Sequence, residues 1–208
     1  MKKTFNPRTK RLTPAKLRLS KADRAFFKDL AKVQIISFDQ ASKNHYSHLK
    51  TKGSRSLPRL VEAGLIQERV VYISGKKPVK TYAFANKEIA KAFGGRMDIT
   101  SSTRSDKHEL MTSQLYFDSN CPDDFRLSTR FNADDRQMIG DHLPDAMFTN
   151  VHGEPILVEA DAGNYSKHQI AEKVNSWTAR GLTQIWGQPV QPTYRLGSAP
   201  GLEVKVIK

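Results

Sequence analysis

Apolar residues in the first part of the chain recur at the spacing of amphipathic helices. Ser20 stands before the first of these patterns and Ser37 before the second, and both side chains suit the N-cap position of a helix. A third pattern covers about residues 54–63 and ends at Gly64, a residue that tolerates the backbone found after a helix. We therefore expect three helices between residues 20 and 64.

A pattern typical of strands follows these helices. Residues 68–74 and 79–85 are rich in β-branched and aromatic side chains, and the sequence GKKP lies between them. This arrangement predicts a hairpin with a basic tip, and residues 86–95 predict a short helix after it. Residues 94–105 are rich in Gly, Ser and Thr without an apolar period, which is typical of a linker.

The second part of the chain mixes the two kinds of pattern. Helical spacing is found in residues 107–117 and again in residues 166–181, where Ser166 and Gln169 have the spacing of a capping box. Five segments are predicted to be strands: residues 124–131, 144–150, 155–161, 189–196 and 201–207. The second and third of these predict a tight hairpin around Gly153, and prolines demote residues 189–196 to a sheet edge.

Charge divides the chain into two unequal parts. Residues 1–96 carry 23 Lys and Arg against 6 Asp and Glu, giving +17, whereas residues 97–208 carry 11 against 15, giving −4, which together make the net charge of +13. A strongly basic half attracts a polyanion, because each phosphate that Lys or Arg neutralises releases condensed counterions. Nucleic acid is the expected partner, and a merely soluble basic surface is the alternative.

The sequence also bounds the cellular setting. It shows no membrane span and no export signal, so we expect a soluble, cytoplasmic protein without a membrane partner. Cys121 is the single cysteine, which excludes an intramolecular disulfide and a cysteine zinc cluster and fits a reducing compartment.

Three helices followed by a two-stranded ribbon, with the passage LPRLVEAGLIQERVVYI, resemble a winged-helix domain over residues 20–94. The resemblance implies that the helix at about residues 54–63 enters the major groove of double-stranded DNA. It implies DNA contacts by six basic residues: Lys50, Lys52, Arg55, Arg59, Lys76 and Lys77. A helical subdomain with solvated lysines, or a winged helix that docks a protein, is the alternative.

Acidic residues interrupt the predicted hairpin of the second half. Successive strand residues point to opposite faces, so Glu159 and Asp161 share one face. Asp145, early in the neighbouring antiparallel strand, approaches the same end of the sheet. Three carboxylates close together repel unless a cation lies among them, and oxygen-rich clusters suit Mg²⁺ or Mn²⁺. The sequence therefore predicts a divalent-metal site at these three acids.

A lysine could supply the cation instead. Lys167 and Lys173 lie on either side of the apolar stripe of the following helix, each about 60° from Ile170. Either side chain could extend to the carboxylates. Tyr165 follows the acidic strand, where we expect it to pack on Trp177 or its neighbours, and covalent phosphotyrosine chemistry is its alternative role.

An Asp early on one strand, a Glu-x-Asp pair on the next and a nearby Lys resemble the site of the PD-(D/E)xK nuclease superfamily, over about residues 106–207. The resemblance implies a restriction-endonuclease-like α/β domain with a mixed sheet, in which the carboxylates hold the metal and the lysine stabilises charge on the phosphate. The expected α+β chain comprises a basic arm (1–19), a winged helix-turn-helix (20–94), a linker (95–105) and a nuclease-like domain (106–208).

The sequence also resembles the plasmid replication-relaxation family and the related mobilisation relaxases, where LPDAMF, LVEADAG and a helix with Lys follow a helix that opens with His. The resemblance implies nicking at a transfer origin, or control of plasmid replication and mobilisation genes. The site residues that it implies are Asp145, Glu159, Asp161 and Lys173, with His108 and Glu109 as further candidates.

Two other functions stay open. A DNA-binding regulator, or an accessory protein of replication or mobilisation, would use the second domain for dimerisation and keep the acids as structural groups. The second open function is RNA processing by the same metal chemistry. Double-stranded DNA, with a single-stranded product, is the expected partner, and a palindromic target would indicate a homodimer.

Overall fold

A computed structural model of the chain describes residues 18–72, 77–97 and 106–207 and has an α+β fold. Most of the predicted basic arm, Lys76 at the predicted wing and residues 98–105 of the predicted linker lie outside the described residues. Within the described ranges, no helix is both long enough and apolar enough to cross a membrane.

The first half forms helices around a small antiparallel sheet. Its elements are α1 (Lys21–Val33), β1 (Ile36–Ser37), α2 (Phe38–Asn44), α3 (Ser56–Glu62), β2 (Ile66–Val71), β3 (Val79–Phe84) and α4 (Lys87–Ala92). Ser20 and Ser37 each complete a capping box, so the two predicted N-caps are confirmed. Strand β3 pairs with β2 as predicted and also with the two-residue β1, which was not predicted because two residues show no alternation.

Aromatic side chains fill the core of this half. Phe26, Phe27 and Leu30, three members of the predicted stripe of α1, are fully buried. Phe27 stacks on Phe93 with 4.1 Å between ring centroids and on Phe84 with 5.9 Å. The helical pattern of α1 therefore faces the sheet and the short helix α4, which closes this half.

The second half is built on a mixed five-stranded sheet. Its elements are α5 (Asp106–Asp118), β4 (Arg126–Leu127), a 3₁₀ turn (Ser128–Arg130), α6 (Ala133–Ile139), β5 (Ala146–Thr149), β6 (Pro155–Ala160), α7 (Lys167–Ala179), β7 (Thr183–Pro189) and β8 (Leu202–Ile207). The strand order is β4-β5-β6-β7-β8. The first three strands are antiparallel, whereas β6, β7 and β8 are parallel, with α7 as the crossover between β6 and β7.

One of the predicted strands is much shorter than expected and another is wrong. Within residues 124–131 only Arg126–Leu127 is a strand, because Ser128 N donates to Asp145 O and the chain then turns into a 3₁₀ helix. Residues 190–196 form no strand, and the strand of this region is β7, which ends at Pro189. Helix α6 was not predicted.

Strand β7 escaped prediction because polar and small residues interrupt its apolar pattern. Gln184 is fully buried, and its Nε2 donates to Val174 O and to Thr178 Oγ1. Gly187 lies where a Cβ would come within 3.0 Å of Leu115. The close packing of β7 against α5 therefore favours a glycine at this position, because a larger residue would push the Leu115 side chain aside.

Helix α5 connects the two halves. One side of α5 packs on the sheet face that carries Val158 and Ala160, and α5 also contacts α1. Tyr116 of α5 donates its hydroxyl to Asp29 of α1 at 2.7 Å. Buried apolar residues of both halves thus form one continuous cluster, while the proposed division into two domains stays a prediction.

Candidate active site

Asp145 and Glu159 lie opposite each other on neighbouring antiparallel strands. Ala146 pairs with Val158, so the residue before β5 faces the fifth residue of β6. Asp145 N donates to Glu159 Oε2 at 3.2 Å, and Ala160 N donates to Asp145 Oδ2 at 2.8 Å. The hairpin around Gly153, which has a φ of +81° as predicted, fixes this register.

Lys173 brings a positive charge to the pair. Its Nζ donates to Glu159 Oε1 at 2.5 Å and to the hydroxyl of Tyr165 at 3.2 Å. The predicted extension of a lysine from α7 to the carboxylates is therefore observed for Lys173. Lys167, the other candidate, is exposed at the first position of α7.

Local features of α7 orient Lys173. Ser166 and Gln169 form the predicted capping box, and the buried stripe of Ile170, Val174 and Trp177 fixes the rotation of the helix against the sheet. Lys173 Nζ also lies 5.5 Å from the Trp177 ring centroid, within the range of a cation–π contact.

Tyr165 links the helix to the acidic strand. Its hydroxyl donates to Glu159 Oε1 at 2.5 Å, and its ring meets Trp186 edge-on with 6.5 Å between centroids. Lys173 Nζ lies 4.8 Å from the centroid of the same ring. The predicted packing of Tyr165 thus involves Trp186, and the hydroxyl joins the carboxylate network.

His108 is the basic partner of Asp145. It lies buried on α5, and its Nε2 is 2.9 Å from Asp145 Oδ2. Glu109, the next residue, is half-buried. The structure therefore brings His108 into the site on the side opposite to α7.

Asp161 accepts hydrogen bonds from residues outside the network of Asp145 and Glu159. Its Oδ1 accepts from Gly163 N at 2.9 Å, and its Oδ2 accepts from Gln188 Nε2 at 3.1 Å. Gln188 also donates to Tyr194 O at 2.8 Å, which joins Asp161 to the loop after β7. In the part of the chain that the structure describes, no group of three or more acidic, His or Cys residues could hold a metal ion, so the expected three-acid cluster is not assembled.

Gln188 is the site residue that sequence reasoning missed. It belongs to β7, where the sequence predicted no strand, so its approach to Asp161 could not be anticipated. The available signal was a polar residue at the end of a segment that contains Ile185 and Trp186. Such a residue, when buried, requires hydrogen-bond partners.

The pKa values of Asp145 and Glu159 are shifted in opposite directions. Burial, followed by the charge of Asp145, raises the pKa of Glu159 to about 7, although Lys173 and Tyr165 act against this shift. Burial alone would also raise the pKa of Asp145, but the hydrogen bond and charge of His108 outweigh it and lower the pKa overall. Two neighbouring carboxyl groups whose pKa values move apart are typical of functional sites.

The donor set fits a hard cation by its chemistry. Asp145 and Glu159 offer carboxylate oxygens from adjacent strands, and such oxygens are the ligands that Mg²⁺ and Mn²⁺ prefer. Asp161 is oriented by Gln188 and Gly163 and is not part of this pair.

A groove of about 990 Å³ lies between the two halves on the α5 side of the sheet, and Asp145, Glu159 and Lys173 are not among the residues that line it. Lys43 of α2, Lys77 before β3 and Lys107 of α5 line it, together with the loops after β6 and β7. Lys107 Nζ donates to Ala162 O at 2.6 Å, next to Asp161. The groove thus reaches the carboxyl ends of β6 and β7, the edge at which open α/β sheets bind ligands.

The predicted DNA-contacting residues of the first half fall into two groups. The first group is exposed in the segments before α3 and β3: Lys50, Lys52, Arg55 and Lys77. Arg59 differs, because its Nη2 donates to the buried Asp23 Oδ2 at 2.5 Å and its Nη1 donates to Arg18 O at 3.2 Å. Arg59 therefore connects α3 to α1.

Comparison with protein-family models, with curated proteins and with solved structures found no match. The resemblances to winged helices, to nucleases and to the plasmid family stay predictions. Function is therefore inferred from the chemistry of the site itself.

Proposed function

We propose that this chain binds double-stranded DNA and hydrolyses a phosphodiester bond at the site formed by Asp145, Glu159 and Lys173. The observation that carries the proposal is that the Glu159 carboxylate joins the other two residues, because it accepts from Lys173 Nζ and from the backbone N of Asp145. Asp145 precedes β5, Glu159 lies on β6 and Lys173 lies on α7, with successive members 14 positions apart. An Asp, a Glu and a Lys gathered from three elements are the groups that metal-assisted phosphodiester cleavage uses.

The element order supports the same proposal. Helix α5, strands β4 to β6, helix α7 and strand β7 occur in the order of the PD-(D/E)xK core around a mixed sheet, with the 3₁₀ turn and α6 inserted between β4 and β5. The lysine of the site lies on α7 and not on β6, as in the variant of that superfamily in which it has moved to the following helix. In this proposal residues 106–207 are a nuclease-like domain.

Each residue has a distinct part in the proposed reaction. Asp145 and Glu159 would hold Mg²⁺ or Mn²⁺, which when bound acts as a Lewis acid toward the phosphate and lowers the pKa of water. Lys173 stabilises the negative charge that develops on the phosphate oxygens. His108 positions Asp145, and Tyr165 positions Glu159 through its hydroxyl group.

DNA binding is assigned to the first half as a winged helix. Its support is the charge of +17 over residues 1–96, together with the exposure of Lys50, Lys52 and Arg55 before α3. The lysine-lined groove between the halves would then lead a DNA strand toward the carboxyl end of β6. Arg59 stays a predicted member of this surface, although its guanidinium is already bound to Asp23 and its side chain is 36% exposed.

A second candidate function is favoured by one observation. Lys173 and His108 already compensate Glu159 and Asp145, and both carboxylates are buried. Such internally paired acids also suit a DNA-binding regulator or accessory protein that does not cleave DNA. The two candidates share the DNA-binding half and differ only in the role of the carboxylates.

Nicking of supercoiled plasmid DNA in the presence of Mg²⁺ or Mn²⁺ tests the proposal. We expect Asp145→Asn, Glu159→Gln and Lys173→Met to lower the cleavage rate by about 100-fold or more, since each removes charge stabilisation from the reaction. Lys167→Met is the matched control, because Lys167 is exposed on the same helix, and it should cleave like the wild type.

DNA affinity is measured on the same variants by fluorescence anisotropy over a range of salt concentrations. The site variants should bind like the wild type, whereas Arg55→Ala should bind more weakly and reduce the salt slope by about 1. Binding without cleavage by the wild type would favour the regulator. Cleavage that survives in Glu159→Gln and Lys173→Met would remove this site from the reaction.

A further inference from the structure

Strand β8 forms an open edge of the five-stranded sheet. It ends the strand order, and no strand in the described ranges covers its outer side. Val204 and Val206 of β8 are 39% and 59% exposed, and Val190 and Tyr194 near the end of β7 are also exposed. Two of the seven large apolar side chains exposed in the described part of the chain thus lie on this edge strand, which favours an interaction there.

The backbone of β8 directs hydrogen-bonding groups outward at alternate residues. Gln184 N of β7 donates to Gly201 O at 2.7 Å, so Gly201 and the odd-numbered residues after it face β7. The even-numbered residues Leu202, Val204 and Val206 therefore direct their N–H and C=O groups away from the sheet. An outward row of donors and acceptors is the template for another strand.

We propose that β8 pairs antiparallel with β8 of a second copy of this chain, about a twofold axis at Val204. In this register Val204 faces the same residue of the second copy, and Val206 faces Leu202. These are the outward-facing residues, so each such pair can exchange backbone hydrogen bonds. The two sheets then form one continuous sheet of ten strands.

Charge selects this register over its neighbours. With Val204 on the axis, Glu203 of each copy lies opposite Lys205 of the other, in a non-hydrogen-bonded pair whose side chains come close. A shift that keeps the outward residues paired places either Glu203 or Lys205 on the axis, opposite its own copy. Like charges directly opposite each other are destabilising, so the register at Val204 is favoured.

The second copy also explains the apolar edge. Val204 and Val206 lie on the α7 side of the sheet, next to Trp186 and Gln188 of β7 in the strand pairing. Pairing of two β8 strands would cover these valines with Leu202, Val204 and Val206 of the second copy. The dimer rests on β8 alone and is independent of the proposed cleavage chemistry.

Charge reversal tests the dimer by sedimentation velocity over a range of concentrations. The wild type should sediment with twice the mass of one chain, and Glu203→Lys or Lys205→Glu should each raise the dimer dissociation constant by about tenfold or more. An equimolar mixture of the two variants should recover the dimer, because two basic side chains on the β8 of one variant then face two acidic side chains on the other. A monomeric wild type, or reversals that leave the dimer unchanged, would overturn the proposal.

A backbone variant separates the strand pairing from the charges. Val204→Pro removes an N–H that faces outward, so the pairing of β7 with β8 should survive while the dimer is lost. Val151→Lys is the control, since it removes an exposed valine far from this edge, in the turn between β5 and β6. Thermal unfolding of each variant checks that the fold is retained, and a dimer that persists in folded Val204→Pro would contradict the pairing.

Discussion

Two buried carboxylates, one in each half of the molecule, have similar surroundings and different electrostatics. Asp23 in the first half accepts hydrogen bonds from a tyrosine, Tyr46, and from a cation, Arg59. Glu159 in the second half accepts from Tyr165 and Lys173. Both carboxylate residues are fully buried. The difference is a second acid, because Asp145 lies beside Glu159.

The neighbouring acid moves the pKa of Glu159 in the opposite direction to that of Asp23. Burial alone raises the pKa of Asp23, but hydrogen bonds with Ser20 and Arg59 and the charge of Arg59 lower it overall. The pKa of Glu159 is raised by burial and by Asp145. Asp23, with a cation and no second acid beside it, thus behaves as a member of a structural ion pair. Glu159 and Asp145 repel each other when both are ionised, which is typical of a functional site.

The largest effect on stability is expected for Asp23→Asn. The change removes the charge of a buried carboxylate that Arg59 binds, and we expect a loss of about 3 kcal/mol in the free energy of unfolding. Urea denaturation measures it. Asp39→Asn is the matched control, an Asp in the first turn of α2 that is not buried, and should cost well under 1 kcal/mol.

A smaller effect is expected for Glu159→Gln. Its amide oxygen still accepts from Lys173 and Tyr165, and the charge of Asp145 remains to balance Lys173. The new amide NH₂ takes the place of the oxygen that accepts from Asp145 N, so we expect a loss of about 1 to 2 kcal/mol. The same urea experiment measures it. A loss as large as that of Asp23→Asn would show that Glu159 also serves mainly as a structural ion pair.

The smallest effect is expected in how the free energy of unfolding changes with pH because of Asp23. Its pKa is lowered by folding, so the ionised carboxylate stabilises the fold above the unfolded value of about 3.9. This contribution is lost as the pH falls below about 3.9 through the lower folded value. The stability difference between wild type and Asp23→Asn should therefore narrow in acid, and a difference that stays constant with pH would contradict this assignment.

Features that depend on local sequence could be predicted. The N-caps at Ser20, Ser37 and Ser166 lie beside the helices that they cap, and the strand period places Glu159 and Asp161 on one face. Helix geometry predicted that either Lys167 or Lys173 extends to the carboxylates, and the structure shows that Lys173 does so. These interactions join residues that lie close in sequence or on adjacent elements.

Features that depend on distant packing could not be predicted. In β7, Gly187 packs closely against Leu115 of α5, and Gln184 donates a hydrogen bond to Val174 O of α7. The sequence of β7 shows neither contact. The contact between His108 and Asp145 joins a helix to a strand that begins many residues later, and only the family resemblance suggested it. The hydrogen bond between Asp161 and Gln188 could not be predicted because strand β7 was not predicted.

Helix α5 should hold the two halves together when the chain is cut between them. Its buried residues surround the helix, since α5 packs on the sheet and contacts α1 of the other half. A fragment that ends before residue 106 would lose Leu115, Tyr116 and Phe117 from its core. Cleavage of the chain between residues 97 and 106 should therefore yield two pieces that stay associated and unfold together.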